Sequence, residues 1–80
     1  MKVNVRAFGI AKDIFQKSST EIELAEGSSV MDLKKEIESR FPDFRKLKHY
    51  HIALNEDYAQ AEAIIKDQDE IVIIPPVSGG

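Results

Sequence analysis

The residues best placed to do chemistry stand at the end of the chain, in the run Pro75-Pro76-Val77-Ser78-Gly79-Gly80. Pro75 and Pro76 carry no amide donor, so sheet pairing must stop before them and the backbone leaves as a stiff, polyproline-like rod. Ile74, just ahead of a proline, is biased to extended backbone. Gly79 and Gly80 have no Cβ, which makes the tip thin and opens backbone angles closed to other residues. At about 3.3 Å per residue the tail reaches on the order of 20 Å beyond the last strand. The group that could react is the α-carboxylate of Gly80. Such a group titrates near about 3.3–3.7, so at neutral pH it is ionised and a poor acyl donor until something activates it. A recessed site in a partner is the destination this shape fits.

Other chemistry-bearing residues are weaker candidates. His49 and His51 sit two apart and would share a face on a strand, but no cysteine or clear third ligand accompanies them, so no metal is expected. The stretch "FRKLKHY" interleaves Arg45, Lys46 and Lys48 with Phe44 and Tyr50, a pattern that can bind single-stranded nucleic acid. The acidic balance and the shortness of the run favour a solvated loop instead. Glu56, Asp57, Asp67, Asp69 and Glu70 could steer docking to a basic partner, and solubility explains them nearly as well. Ser18, Ser19, Ser28 and Ser29 lack a nucleophile's setting and read as turn and cap residues.

The elements that must position the tail follow from periodicity. "KVNVRAF" alternates, with Val3, Val5 and Ala7 on one face, and "TEIELAE" alternates again around Ile22 and Leu24. The two read as an amphipathic hairpin, with "GIAKDIFQKSS" between them as a loop or irregular connection. "SVMD" fits a capping box, Ser29 as N-cap and Asp32 three residues on. Val30, Leu33, Ile37 and Phe41 then form one apolar helical stripe, which Pro42 ends. "HIALNED" offers a strand and a turn at Asn55-Glu56-Asp57, "AEAII" is ambiguous, and "KDQDE" turns into the last strand "IVII". That strand is apolar on both faces, as a central strand is. A single helix covers one face, so Val72 and Ile74 either lie under a loop or form an exposed partner-binding patch. The order is that of an α+β domain with a mixed sheet of about four to five strands and one main helix packed on one face.

Composition narrows the classes. Eighty residues make one small domain, residues 1–80, with residues 75–80 as its extended tail. Apolar residues at 42% and charged residues at 31% argue against disorder. The net charge of −3 argues against a general nucleic-acid binder. The absence of cysteine removes disulfides and thiol nucleophiles. No secretory or membrane-spanning segment stands out, so the cytoplasm is expected and a membrane partner is not.

The strand and helix order, the helix "VMDLKKEIESRFP", the turn "DQDEI" and the ending "IIPPVSGG" together resemble the MoaD family, small subunits of molybdopterin synthase. "VRAFGIAKDI" is similar to the family's opening strand and loop, and "ALNED" to its third strand and turn. The resemblance spans essentially the whole chain and implies a β-grasp, ubiquitin-like sulfur carrier. It implies adenylation of Gly80 by a MoeB-like enzyme using ATP and Mg2+, with no cofactor on this chain itself. Sulfur then replaces AMP to give a thiocarboxylate. The tail, with Pro75, Pro76, Val77, Ser78 and Gly79 and the strand residues Val72 and Ile74, would engage a MoaE-like large subunit in a heterotetramer. That subunit would supply the catalytic side chains, and the sulfur would pass to the pyranopterin precursor. Gln16 and Gln68 depart from the pattern, standing where glycine is common. Three alternatives remain: a ThiS-like carrier for thiazole synthesis, a ubiquitin-like modifier joined to lysines, and an inert binding module.

Overall fold

Alternation in the first half of the chain does produce two paired strands, but the segment between them is a helix. A computed structural model describes residues 1–47 and 49–76. Strand β1, Lys2–Ala7, buries Val3, Val5 and Ala7 and exposes Lys2, Asn4 and Arg6. Strand β2, Ser19–Glu23, pairs with it antiparallel, Val3 opposite Ile22 and Val5 opposite Thr20. Helix α1, Gly9–Phe15, replaces the expected loop and buries Ala11 and Phe15. Seven residues are too few to hold a helix alone, so packing supplies what propensity does not. Gln16 closes α1 in the left-handed conformation, φ 63°, its amide donating to Lys12 O at 2.8 Å. That conformation favours glycine, so the glutamine that stands here is held in a backbone geometry that a Cβ penalises. Gln68 shows no positive φ, so nothing in the backbone demands glycine there.

The capping box forms as its residues require. Ser29 N donates to Asp32 Oδ2 at 2.9 Å and Asp32 N to Ser29 Oγ at 3.2 Å, opening helix α2, Val30–Arg40. Val30, Leu33 and Ile37 point into the core, while Phe41 is the half-buried C-cap. Pro42 then begins a short 3-10 helix, Pro42–Lys46. Phe44 is fully buried there, its ring 5.1 Å from that of Phe15, and Tyr50 is buried beside it at 5.6 Å. These aromatics are core, so "FRKLKHY" offers no stacking platform around Arg45 and Lys46; Lys48 lies outside the described residues. The Tyr50 hydroxyl donates to Glu38 Oε2 at 2.7 Å, and Lys34 Nζ donates to Tyr50 O at 3.2 Å. Burial, reinforced by the Glu38 carboxylate, pushes the Tyr50 phenol well above its ordinary range.

Strand β3, His51–Leu54, turns through Asn55 and Glu56 into the two-residue strand β4, Asp57–Tyr58. Both turn residues have positive φ, 53° and 74°, as a two-residue hairpin of matching twist requires. The "AEAII" segment is tied to the start of α2: Val30 N donates to Ala63 O and Ile65 N to Ser28 O. It buries Ile65 and leaves Ile64 exposed. Strand β5, Ile71–Ile74, completes a five-stranded sheet of order β2-β1-β5-β3-β4. β5 runs parallel to β1, Val5 opposite Ile71 and Ala7 opposite Ile73, and antiparallel to β3. A mixed sheet with parallel central strands and helix α2 across one face is the β-grasp arrangement. Val5, Ile22, Leu33, Ile37, Ile52, Ile71 and Ile73 share one core, each worth roughly 1.5–3 kcal/mol when fully buried.

Candidate functional site

The tail leaves from the middle of the sheet because β5 sits there. Pleating sends Ile71 and Ile73 into the core and turns Val72 and Ile74 to the opposite face, where both stay half-buried. Val72 lies between Arg6 and Ala53 across its two ladders, and Ile74 lies opposite His51. On this face Val72 and Ile74 keep partial exposure, beside exposed Arg6 and His51 and buried Ala53. The strand ends at Ile74, where the first of the two donorless prolines follows. Pro75 and Pro76 are half-buried at the tail root. Val77, Ser78, Gly79 and Gly80 lie outside the described residues.

Two structures flank the root. On one side Gly9 begins α1 with φ 58°, and a Cβ built on it would stand 3.5 Å from Pro75 Cγ. On the other side an open cleft of about 350 Å3 is lined by His49, His51, Tyr58, Ile74, Pro75 and Pro76. The His51 ring stacks on Tyr58, centroids 5.3 Å apart and planes 20° apart. Only His51 belongs to a strand; His49 precedes it with φ 66°, yet both reach the same cleft. Among the described residues no group of three or more His, Cys, Asp or Glu is placed to hold a metal ion. Its walls are the His49, His51 and Tyr58 rings and the aliphatic carbon of Ile74, Pro75 and Pro76.

Glu56, Asp57, Asp67, Asp69 and Glu70 sit at the Ile71 end of β5, away from the tail, so they do not line its docking end. They include groups that build the turn: Asn55 Nδ2 donates to Asp69 Oδ1, Glu70 N to Asn55 Oδ1, and Lys66 N to Asp69 Oδ2. These bonds hold the Asp69 carboxyl below its ordinary range, the Lys66 amide first and Asn55 second. Tyr58 and Phe8 were not singled out by sequence reasoning. The signal for Tyr58 was its position just after the Asn55-Glu56 turn, which returns it beside His51. No helix among the described residues is long and apolar enough to cross a membrane.

Comparison with known proteins agrees with this geometry. A family model described as the ThiS family matches residues 5–80. The molybdopterin synthase sulfur carrier subunit of Chlamydomonas reinhardtii is 32% identical, with all of both chains covered. A Pyrococcus furiosus structure described as a molybdopterin converting factor, subunit 1, superposes with a TM-score of 0.87 at 31% identity, covering 96% of this chain and 99% of that one. A chain from the complex of subunits 1 and 2 of the Helicobacter pylori molybdopterin-converting factor matches with a TM-score of 0.69 at 28% identity, both chains fully covered. The likeness runs the length of the molecule: the chain is a ubiquitin-like, β-grasp member of the ThiS family.

Proposed function

We propose that this chain is the sulfur carrier subunit of molybdopterin synthase, with the α-carboxylate of Gly80 as its working group. The observation that carries the reading is the full-length match to curated sulfur carrier subunits, in a fold that aims the tail out from the central strand. A MoeB-like enzyme with ATP and Mg2+ would activate the end. A Gly80 carboxylate oxygen attacks the α-phosphate of ATP, pyrophosphate leaves, and a mixed anhydride with AMP results. Sulfide released by a donor (HS⁻) then attacks the acyl carbon, the C–S bond forms as the C–O bond to AMP breaks, and loss of the thiol proton leaves a thiocarboxylate. The large subunit would receive the tail and pass the sulfur to the pyranopterin precursor. The Helicobacter pylori pair supports a large-subunit partner, because its small subunit shares this fold and is held in such a complex. A heterotetramer is the assembly expected.

What this chain contributes is presentation. β5 is anchored on both sides by ladders, so the tail root cannot swing with a loop. Pro75 and Pro76 restrict the backbone beyond it, which lowers the ordering entropy lost when the tail enters a channel. The deciding experiment is intact mass after incubation with ATP, Mg2+, an adenylating enzyme of this family and a sulfur donor. Exchange of one oxygen for sulfur, mapped to Gly80, is expected. No exchange, with the same enzyme loading a control carrier, would overturn the reading; lysine-branched peptides instead would mark a protein modifier.

A further inference from the structure

Charge is divided between the two ends of this molecule. β1 and β5 are parallel, so Ala7 and Ile73 mark the end from which the tail leaves. Helix α1 follows β1 at that end. Phe15 packs its ring 4.8 Å from Phe41 and 5.1 Å from Phe44, which brings the end of α2 and the 3-10 helix there too. Arg6, Lys12, Lys17 and Arg45 are all exposed around it. Among the described residues the carboxylates near them are few or engaged. Glu36 pairs with Arg40 at 3.0 Å, Asp43 with Lys46 at 3.7 Å, and Glu38 accepts from Tyr50, leaving Asp13 and, on the outer sheet face diagonal to Arg6, Glu21. The opposite end gathers Glu56, Asp57, Asp67, Asp69 and Glu70. A chain of net charge −3 therefore presents a basic end, and the tail leaves from it.

The same end exposes two aromatic rings, one on each side of the tail root. Phe8 is 51% exposed, with the Arg6 guanidinium carbon 5.7 Å from its ring centre. Tyr58 is 67% exposed against His51. Aromatic anchors inside a charged rim are the anatomy of a protein docking surface. Taking the sulfur-carrier reading as its premise, we infer that the tail-bearing end is a docking collar for a protein partner whose channel mouth is rimmed with carboxylates. Phe8 and Tyr58 seat on the apolar lip of that mouth, and Arg6, Lys12, Lys17 and Arg45 face its acids.

Net charge alone argues the other way, since an acidic chain is drawn to a basic partner. Distance decides between them. Glu56, Asp67, Asp69 and Glu70 stand at the Ile71 end of β5, about 10 Å along the strand from the tail root, against a Debye length of about 8 Å at physiological salt. Asp57 stands nearer, next to Tyr58 in β4. A partner at the tail thus meets the collar's field less screened than that of the far acids.

The test is association kinetics between the full chain and the large subunit of molybdopterin synthase from the same organism, at ~0.15 M salt. The charge-reversed variant Arg6→Glu/Lys12→Glu/Lys17→Glu should associate about ten-fold more slowly or worse, while Glu56→Gln/Glu70→Gln at the far end stays within about two-fold. The milder Lys12→Gln/Lys17→Gln keeps the question open to refutation if the triple variant does not fold, and it should slow association about three-fold. Collar variants that bind as fast as wild type, or faster, overturn the inference while leaving sulfur loading at Gly80 intact. A wild-type chain that forms no complex with that subunit overturns the functional reading and the collar with it.

Discussion

Gly9 stands against Pro75: the first residue of α1 and the first residue of the tail are in van der Waals range, with 3.5 Å from a Cβ built on Gly9 to Pro75 Cγ. That distance is ordinary contact, so a methyl group would fit. The backbone is the obstacle, because φ 58° is left-handed and costs a residue with Cβ about 1–2 kcal/mol. Gly9→Ala should therefore lower stability by about 1 kcal/mol in urea denaturation while sulfur loading at Gly80 proceeds at the wild-type rate. A much larger loss would mean that the close approach to Pro75, and not the dihedral, governs the site.

Thr20 carries a cost in the β1–β2 ladder, where it lies opposite Val5. Its Oγ1 is buried and has no hydrogen-bond partner among the described residues. Thr20→Val keeps the branched shape and removes the stranded hydroxyl, so a gain of about 1 kcal/mol is expected. A loss of stability on the same substitution would show that the hydroxyl is satisfied.

The β3–β4 turn also holds strain. Glu56 has φ 74° at a position where glycine suits a two-residue hairpin. Glu56→Gly should raise stability by about 0.5–1 kcal/mol and Glu56→Val should lower it by more. Thermal melts of the pair, read side by side, test the sign of each.

Acid should weaken this protein in a window that two carboxyls set. Asp32 is held below its ordinary range chiefly by the Ser29 amide, with the Ser29 side chain next. Asp69 is held down by the Lys66 amide and then Asn55. A depressed folded pKa means that the contribution is complete above the unfolded value, about 3.9, and fades as pH falls through the folded one. Stability should therefore decline below about pH 4. The double variant Asp32→Asn/Asp69→Asn should be less stable at pH 7 and show a shallower acid limb. Equal acid limbs in both proteins would contradict the assignment.

Gly80 is expected to tolerate nothing. Deleting it, or extending the chain beyond it, should abolish sulfur loading in the mass assay while circular dichroism stays unchanged. Full loading of either variant would remove the α-carboxylate of Gly80 from its role.

Local rules made much of this molecule legible before any tertiary contact was known. Alternation in "KVNVRAF" and "TEIELAE", the Ser29–Asp32 box and the Val30, Leu33, Ile37 stripe are set by neighbours within four residues. The same is true of the tail, because proline removes its donor and glycine its Cβ in any context. Helix α1 was hidden for the opposite reason. Ala11 and Phe15 have too few turns to reveal a period, and their stability comes from Phe41 and Phe44, distant in the chain. The fold alone decided that β5 would pair in parallel with β1, and that one pairing has most of the consequences. It puts the tail beside Gly9 and sends Asp69 and Glu70 to the far end, while the β3–β4 hairpin sets Tyr58 against His51. Residue types along the chain determined what the tail can do; pairing between strands more than 60 positions apart decided what surrounds it, because hydrogen-bond ladders and burial join residues that no local period connects.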